Sequence, residues 1–249
     1  MKLAIIGYGR LGKAVGETWE KTGGQVTHRI TSKDIWNADE LDCDVVLESS
    51  TPEIASKNIA SCVEAGLPVI VGSTGWHSDL TLIEKLVKEK NGIVFHATNF
   101  SIGVHLLNSF ASNMSKTMAA FKNYTPSIDE SHHIHKLDKP SGTAITLVDK
   151  VESAGGYSNL EVESVREGKI IGSHELKWDS DIDSISIKHE AKNRLGFALG
   201  AVKAAKWTLE QKSKGVSGVF TMDDGTIFSM NISWALPVVW PGAVYGLEI

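Results

Sequence analysis

Up to Phe100, short unbroken apolar runs alternate with stretches whose apolar residues recur at helical spacing. Residues 3–6, 26–30, 45–47, 69–71 and 93–95 read as strands, and residues 11–21, 54–65 and 79–90 between them as helices. Asp79 falls in an acidic first turn and Ser78 is a candidate cap. The strand runs are continuous Val/Ile/Leu rather than alternating, which is what a strand buried on both faces requires. Strand–helix alternation of this kind predicts an α/β fold with a parallel, Rossmann-type sheet.

After Phe100 the texture changes. A helical pattern over residues 104–121 is followed by a polar, histidine-rich stretch and a second helix near residues 143–153. From residue 161 to 191 apolar and polar positions alternate, as in Ser184-Ile185-Ser186-Ile187. That period of two predicts antiparallel or mixed strands with one wet face, a second unit of α+β type. A further helix over residues 197–212 carries Phe197, Leu199, Val202, Ala205 and Leu209. Residues 215–249 give no assignable pattern.

Composition narrows the function class. Of 249 residues, 42% are hydrophobic and 22% charged, ordinary values for a folded protein. The net charge of −5, with no Lys/Arg block, gives no reason to expect nucleic acid, so the expected partner is a small molecule. Cys43 and Cys62 form no CxxC pair and have no histidine at metal spacing, which suits free thiols in a reducing cytoplasm. No stretch reaches the roughly 20 apolar residues that span a bilayer, and the most apolar one, residues 232–249, is broken by Pro237 and Pro241. A cytoplasmic protein without a membrane role is expected.

Chemistry enters first at Gly7-Tyr8-Gly9-Arg10-Leu11-Gly12, between the first strand and the first helix. Glycines there permit a tight turn and close approach of a pyrophosphate to the positive helix N-terminus. The acid that usually binds the NAD ribose about 20 residues on is not there. The second strand ends His28-Arg29-Ile30-Thr31-Ser32-Lys33-Asp34, with cations before the only acid. Arg29, Ser32 and Lys33 would welcome a 2′-phosphate, so NADPH is favoured slightly over NADH. Loops at the carboxyl ends of later strands are also candidate cofactor contacts: Ser49-Ser50-Thr51-Pro52, Gly72-Ser73-Thr74-Gly75 and Ala97-Thr98-Asn99-Phe100.

The densest chemistry lies in Glu130-Ser131-His132-His133-Ile134-His135-Lys136-Leu137-Asp138-Lys139-Pro140-Ser141-Gly142-Thr143-Ala144. Neighbouring His132 and His133 point to opposite faces of a strand and no carboxylate pattern completes a ligand triad, so no metal is expected. A cationic pocket with a titratable proton donor is the better reading. Pro140-Ser141-Gly142-Thr143 opens a helix, and its free N–H groups suit a carboxylate.

That segment resembles the signature of the 4-hydroxy-tetrahydrodipicolinate (dihydrodipicolinate) reductase family. Gly7–Gly12, residues 72–75 and 97–103, Arg166-Glu167-Gly168 with Gly172-Ser173-His174, and residues 200–205 support it, so the resemblance covers residues 1–224. It implies a discontinuous nucleotide domain of residues 1–103 plus 214–249. Residues 104–213 would be an inserted domain for substrate binding and homotetramer assembly. It further implies NAD(P)H-dependent reduction of a cyclic dicarboxylate in the diaminopimelate/lysine pathway. His132 would be the proton donor, Lys136 its catalytic partner, and His133, Ser141, Gly142 and Thr143 the carboxylate contacts. Two departures stand out: the acid and arginine that some members carry after the second strand are missing, and the apolar continuation beyond Asp224 matches nothing in the family pattern. Another two-domain Rossmann reductase, or a nucleotide sensor without turnover, would account for the glycine loop but not for His132–Thr143.

Overall fold

The computed structural model describes residues 1–224. Lys2–Ile6 (β1), Gln25–Ile30 (β2), Val45–Glu48 (β3), Val69–Val71 (β4) and Ile93–His96 (β5) alternate with Arg10–Lys21 (α1), Pro52–Glu64 (α2) and Leu80–Lys90 (α3). Then come Ile102–Met118 (α4), Thr125–His132 (β6), Gly142–Gly155 (α5), Val162–Arg166 (β7), Ser173–Asp179 (β8), Ser184–Glu190 (β9), Leu195–Ser213 (α6) and Gly218–Phe220 (β10).

The first sheet runs β10-β5-β4-β3-β1-β2 and every pairing in it is parallel. β1 has β2 on one side and β3 on the other, so the winding reverses there and a crevice opens at the carboxyl ends of the strands. Helices α1 and α6 cover one face over Leu3, Ile5, Trp19, Phe95 and Trp207. α2 and α3 cover the other over Ile6, Val46, Ile59, Val71 and Val87. Burial on both faces is why these strands read as unbroken apolar runs.

The second sheet, β7-β6-β8-β9, is mixed: β6 pairs parallel with β7 and antiparallel with β8. Its inner face carries Ile128, Leu176 and Trp178 against Leu107 and Ala111 of α4 and Leu147 and Val151 of α5.

The structure corrects two expectations. The helix expected over residues 197–212, α6, was placed in the inserted unit of residues 104–213, but it packs on the first sheet: Ala198, Ala201, Ala204, Ala205 and Trp207 belong to that core. Small residues bring this helix close to the sheet. Secondly, α3 begins at Leu80 after a 3₁₀ turn, His77–Asp79, so Ser78 lies inside that turn, and Asp79 at the N-cap makes no side-chain cap bond. β10, which had no assignment, returns the chain to the first sheet beside β5. The remainder of the 214–249 expectation lies beyond the described residues. Among the described residues no helix is long and apolar enough to cross a membrane.

Gly200 tests the α6 docking. A Cβ there would run into the carbonyl oxygen and carbon of Phe100, which are backbone and cannot move aside cheaply. Gly200→Ala is expected to lower stability by about 1–3 kcal/mol, read as a lower urea midpoint; an unchanged midpoint would mean that α6 is free to shift.

Candidate active site

Gly7 follows β1 with φ +90°, a conformation that favours glycine, and its N–H donates to the Ile30 carbonyl at 2.9 Å. A Cβ at Gly12 would meet the Gly7 carbonyl oxygen at 2.6 Å, whereas one at Gly9 would face open space. Gly12 thus lets α1 sit tightly on the turn, and Gly9 leaves room in front of it. α1 begins at Arg10 without a side-chain cap and without an acid in its first turn. Such a cradle fits a dinucleotide diphosphate. Tyr8 and Leu11 pack partly into the first core, and a Cβ at Gly72 would strike the Leu11 side chain at 2.6 Å.

Arg29 is engaged nearby: Nη2 lies 2.5 Å from Glu20 Oε1, Nε 3.3 Å from the Tyr8 hydroxyl, and the guanidinium 5.8 Å over the Tyr8 ring. Asp34, the first acid after β2, accepts from the N–H and hydroxyl of Thr31 at 2.7 and 2.6 Å. These bonds, the hydroxyl's first, hold its carboxyl below the usual range.

The loops after β4 and β5 face the second unit across a cleft of about 600 Å³. Thr74, Ala97, Thr98 and Asn99 line one wall, and His132, Lys136, Ser141, Gly142 and Thr143 the other. Asn99 Nδ2 donates to Thr143 Oγ1 at 3.2 Å, tying the two walls together. Of the expected contacts in these segments, Gly72, Ser73, Phe100 and His133 are not among the residues that line this cleft. Phe100 is core, 3% exposed and stacked on Phe95 at 6.1 Å. Ser73 is buried, with its carbonyl accepting from Trp76 Nε1 at 3.0 Å. His133, next to His132, lies outside the lining; its carbonyl accepts from the Lys136 N–H at 3.0 Å in the turn that brings Lys136 back.

A buried charge cluster supports the second wall. Strand register places Glu130 opposite His174 of β8 and His132 opposite Arg166 of β7. Glu130 Oε1 accepts from the Ser141 N–H at 3.0 Å and from Arg166 Nη2 at 2.9 Å; Oε2 lies 3.3 Å from His132 Nδ1. Burial would raise the Glu130 carboxyl, yet hydrogen bonds from Ser141 and Arg166 hold it at about 2. Burial lowers His132 below its ordinary 6.5, against the pull of Glu130. Burial pushes His174 down to about 4. Lys136 Nζ pairs with Asp138 at 2.8 Å.

Glu130, His132 and His174 offer donor atoms within 4.8 Å of one another, a grouping that the sequence analysis missed. Arg166 already supplies the cation this carboxylate needs, so the donor set fits an acid–base cluster. Glu130, Arg166 and His174 stood in quoted motifs, but which strand pairs with β6, and in what register, is not written locally. His77, His96, Lys150 and Asp223 also line the cleft, with Lys150 Nζ 2.6 Å from Asp223 Oδ2. No sequence signal singled them out.

Comparison with known proteins gives a consistent result. Residues 1–100 match the family described as dihydrodipicolinate reductase, N-terminus, and residues 103–225 its C-terminus. The chain is 34% identical over 237 residues to 4-hydroxy-tetrahydrodipicolinate reductase of Christiangramia forsetii, covering 90% of this chain and 97% of that one. It is 30% identical to the enzyme of the same name from Halorhodospira halophila, covering 86% and 84%. In fold it is similar to the dipicolinate-bound dihydrodipicolinate reductase of Paenisporosarcina sp. TG-14, with a TM-score of 0.72 at 21% identity over 89% of this chain and 97% of that one. A probable dehydrogenase from Thermotoga maritima has the same general fold, with a TM-score of 0.56 at 11% identity, covering 90% and 92%. With a glycine cradle, a cleft between the two sheets and both halves of the family matched, this chain belongs to the dihydrodipicolinate (4-hydroxy-tetrahydrodipicolinate) reductase family.

Proposed function

We propose that this protein reduces 4-hydroxy-tetrahydrodipicolinate to tetrahydrodipicolinate, with loss of water, in the diaminopimelate/lysine pathway. The observation that carries this is the facing of the two walls: the nucleotide-side loop at Thr98–Asn99 opposes His132, Lys136 and the α5 N-terminus across one cleft.

A reduced nicotinamide nucleotide, held by Gly7–Gly12 and the loops at Thr74 and Ala97–Asn99, would supply the hydride. The chain's own residues then have two tasks. Lys136 and the first turn of α5 at Ser141–Thr143 neutralise and orient the carboxylates of a cyclic dicarboxylate. Reduction of a conjugated imine leaves electron density that needs a proton, and His132 delivers it across the cleft. In the free enzyme His132 is held below its ordinary value, so it is mostly neutral at pH 7. Arriving carboxylates raise it, and so help to charge the donor where it is used.

Both nucleotides would serve, with NADPH modestly preferred. Arg29 stands at the end of β2 with Ser32 and Lys33 beyond it, but it must exchange Glu20 for a 2′-phosphate. Arg29→Ala is expected to raise KM for NADPH roughly three- to tenfold while NADH stays within about twofold; equal changes would remove Arg29 from 2′-phosphate reading. We further propose a homotetramer joined through the outer side of the second sheet, where Asp129, Ser131, Glu175 and Lys177 alternate with the buried positions. A cytoplasmic setting agrees with free Cys43 and Cys62.

The test is oxidation of NADPH, and separately NADH, with substrate made in place from pyruvate and aspartate semialdehyde by a synthase. Turnover with either nucleotide supports the reading. Folded protein that binds nucleotide but never oxidises it would defeat the reading and favour the sensor.

A further inference from the structure

His174 has no assigned role, yet it is 4% exposed and sits directly behind Ser141. Its Nε2 is 3.2 Å from Ser141 Oγ and 3.7 Å from Glu130 Oε2; its Nδ1 is buried and has no hydrogen-bond partner. Two physical facts then select its tautomer. A proton on Nδ1 would leave a buried N–H unpaired and turn the Nε2 lone pair toward the Glu130 carboxylate, both unfavourable. A proton on Nε2 points at Ser141 Oγ and at the anion, and leaves only a lone pair unmet at Nδ1. With its ordinary value pushed down to about 4, the ring is neutral at pH 7 and carries one proton, not two.

That choice propagates one residue further. Ser141 Oγ accepts from the Ala144 N–H at 3.2 Å as the N-cap of α5. A hydroxyl has two acceptor sites and one proton. If His174 Nε2–H and Ala144 N–H fill both acceptor sites, the serine proton remains as a donor. The alternative tautomer would draw that proton toward Nε2, and Ser141 would present lone pairs to an incoming anion.

We infer that Glu130 and His174 form a relay that fixes the polarity of Ser141, so that its hydroxyl proton is kept for donation to a ligand carboxylate in the occupied cleft. His174 is a positioning residue in this arrangement, and the inference rests on the dicarboxylate reading above. The relay also explains why a histidine lies at the centre of this buried cluster. Of the side chains that fit such a space, a neutral imidazole carries a single N–H whose position a neighbouring anion can dictate.

The experiment has a spectroscopic arm and a kinetic arm. Nitrogen-15 spectra of histidine-labelled wild-type protein at pH 7, with His174 assigned from its loss in His174→Gln, should show the proton on Nε2. In kinetics, His174→Phe should raise KM for the dicarboxylate substrate, and Kd for dipicolinate, about tenfold. KM for NADPH should stay within about twofold. His174→Gln, whose amide can place an N–H near the same point, should recover most of the loss. In a Ser141→Ala background His174→Phe should add little, because its effect passes through that hydroxyl. A proton on Nδ1, a wild-type substrate KM in His174→Phe, or full additivity with Ser141→Ala overturns the relay. If His174→Phe does not fold, the wild-type spectrum decides alone. Wild-type protein that neither turns over nor binds dipicolinate defeats the reductase reading and the relay with it, whereas an active wild type with an indifferent His174 defeats only the relay.

Discussion

Replacing His132 with alanine lowers kcat about 10²–10³-fold while KM for NADPH stays within about twofold. His132 lines the cleft opposite the nucleotide-side loop, and no other described residue of the second sheet offers a titratable ring there. The loss falls on turnover rather than affinity because the proton is needed as the imine is reduced, not when the ring first binds. The pH profile adds a second signature. Burial lowers His132 in the free enzyme, with Glu130 and Asp138 pulling it up and Lys136 and Arg166 pushing it down. kcat/KM reports the free enzyme and should fall as pH rises through a midpoint below 6.5. kcat reports the complex, in which substrate carboxylates favour the charged ring, so its midpoint should lie higher. A variant that keeps wild-type kcat, or two coincident midpoints, would remove His132 from the donor role.

Glu130→Ala destabilises the protein by about 3–5 kcal/mol, because it leaves the buried Ser141 N–H without its acceptor and takes the charge partner from the half-buried Arg166 guanidinium, which keeps only the Val165 and Asp138 carbonyls. For a chain of this size that is a fall in Tm of roughly 10 °C. Linkage gives the sign of its pH dependence. A carboxyl held at about 2 in the fold, against an ordinary 4.5, contributes stability that is complete above about 4.5 and lost as pH falls toward 2. The shift corresponds to roughly 3 kcal/mol. Thermal melts at pH 7 and pH 3 should therefore show the gap between wild type and variant narrowing in acid. Glu130→Gln, which keeps an acceptor for Ser141, should lose less. A gap that is equal at both pH values would show that the charge of Glu130 is not what holds the cluster.

Much of the first sheet was legible because the physics there is local. A strand buried on both faces must be apolar at every position, so β3, β4 and β5 announced themselves, as did the glycine turn between β1 and α1. α6 was equally legible as a helix but not as part of that sheet. Its alanines favour a helix in any setting, and only the close approach of Gly200 to Phe100 shows which layer it covers. Phe100 and His133 illustrate the same gap: both sit inside quoted motifs, but Phe100 is part of the core and neither is among the residues that line the cleft.

By itself the sequence determined the periods of its elements, the glycine cradle, and the residue types in the segment from His132 to Thr143 that bear on a dicarboxylate. Tertiary structure decided which of them meet. Glu130, Arg166 and His174 are separated by up to 44 positions in the chain yet share one buried carboxylate, because β7 and β8 flank β6 in a particular register. Register is a property of whole strands packing one face inward, and a shift of one residue would turn every one of these side chains to the opposite side. No local pattern encodes that choice, so the acid–base cluster behind the cleft exists only once the second sheet has closed.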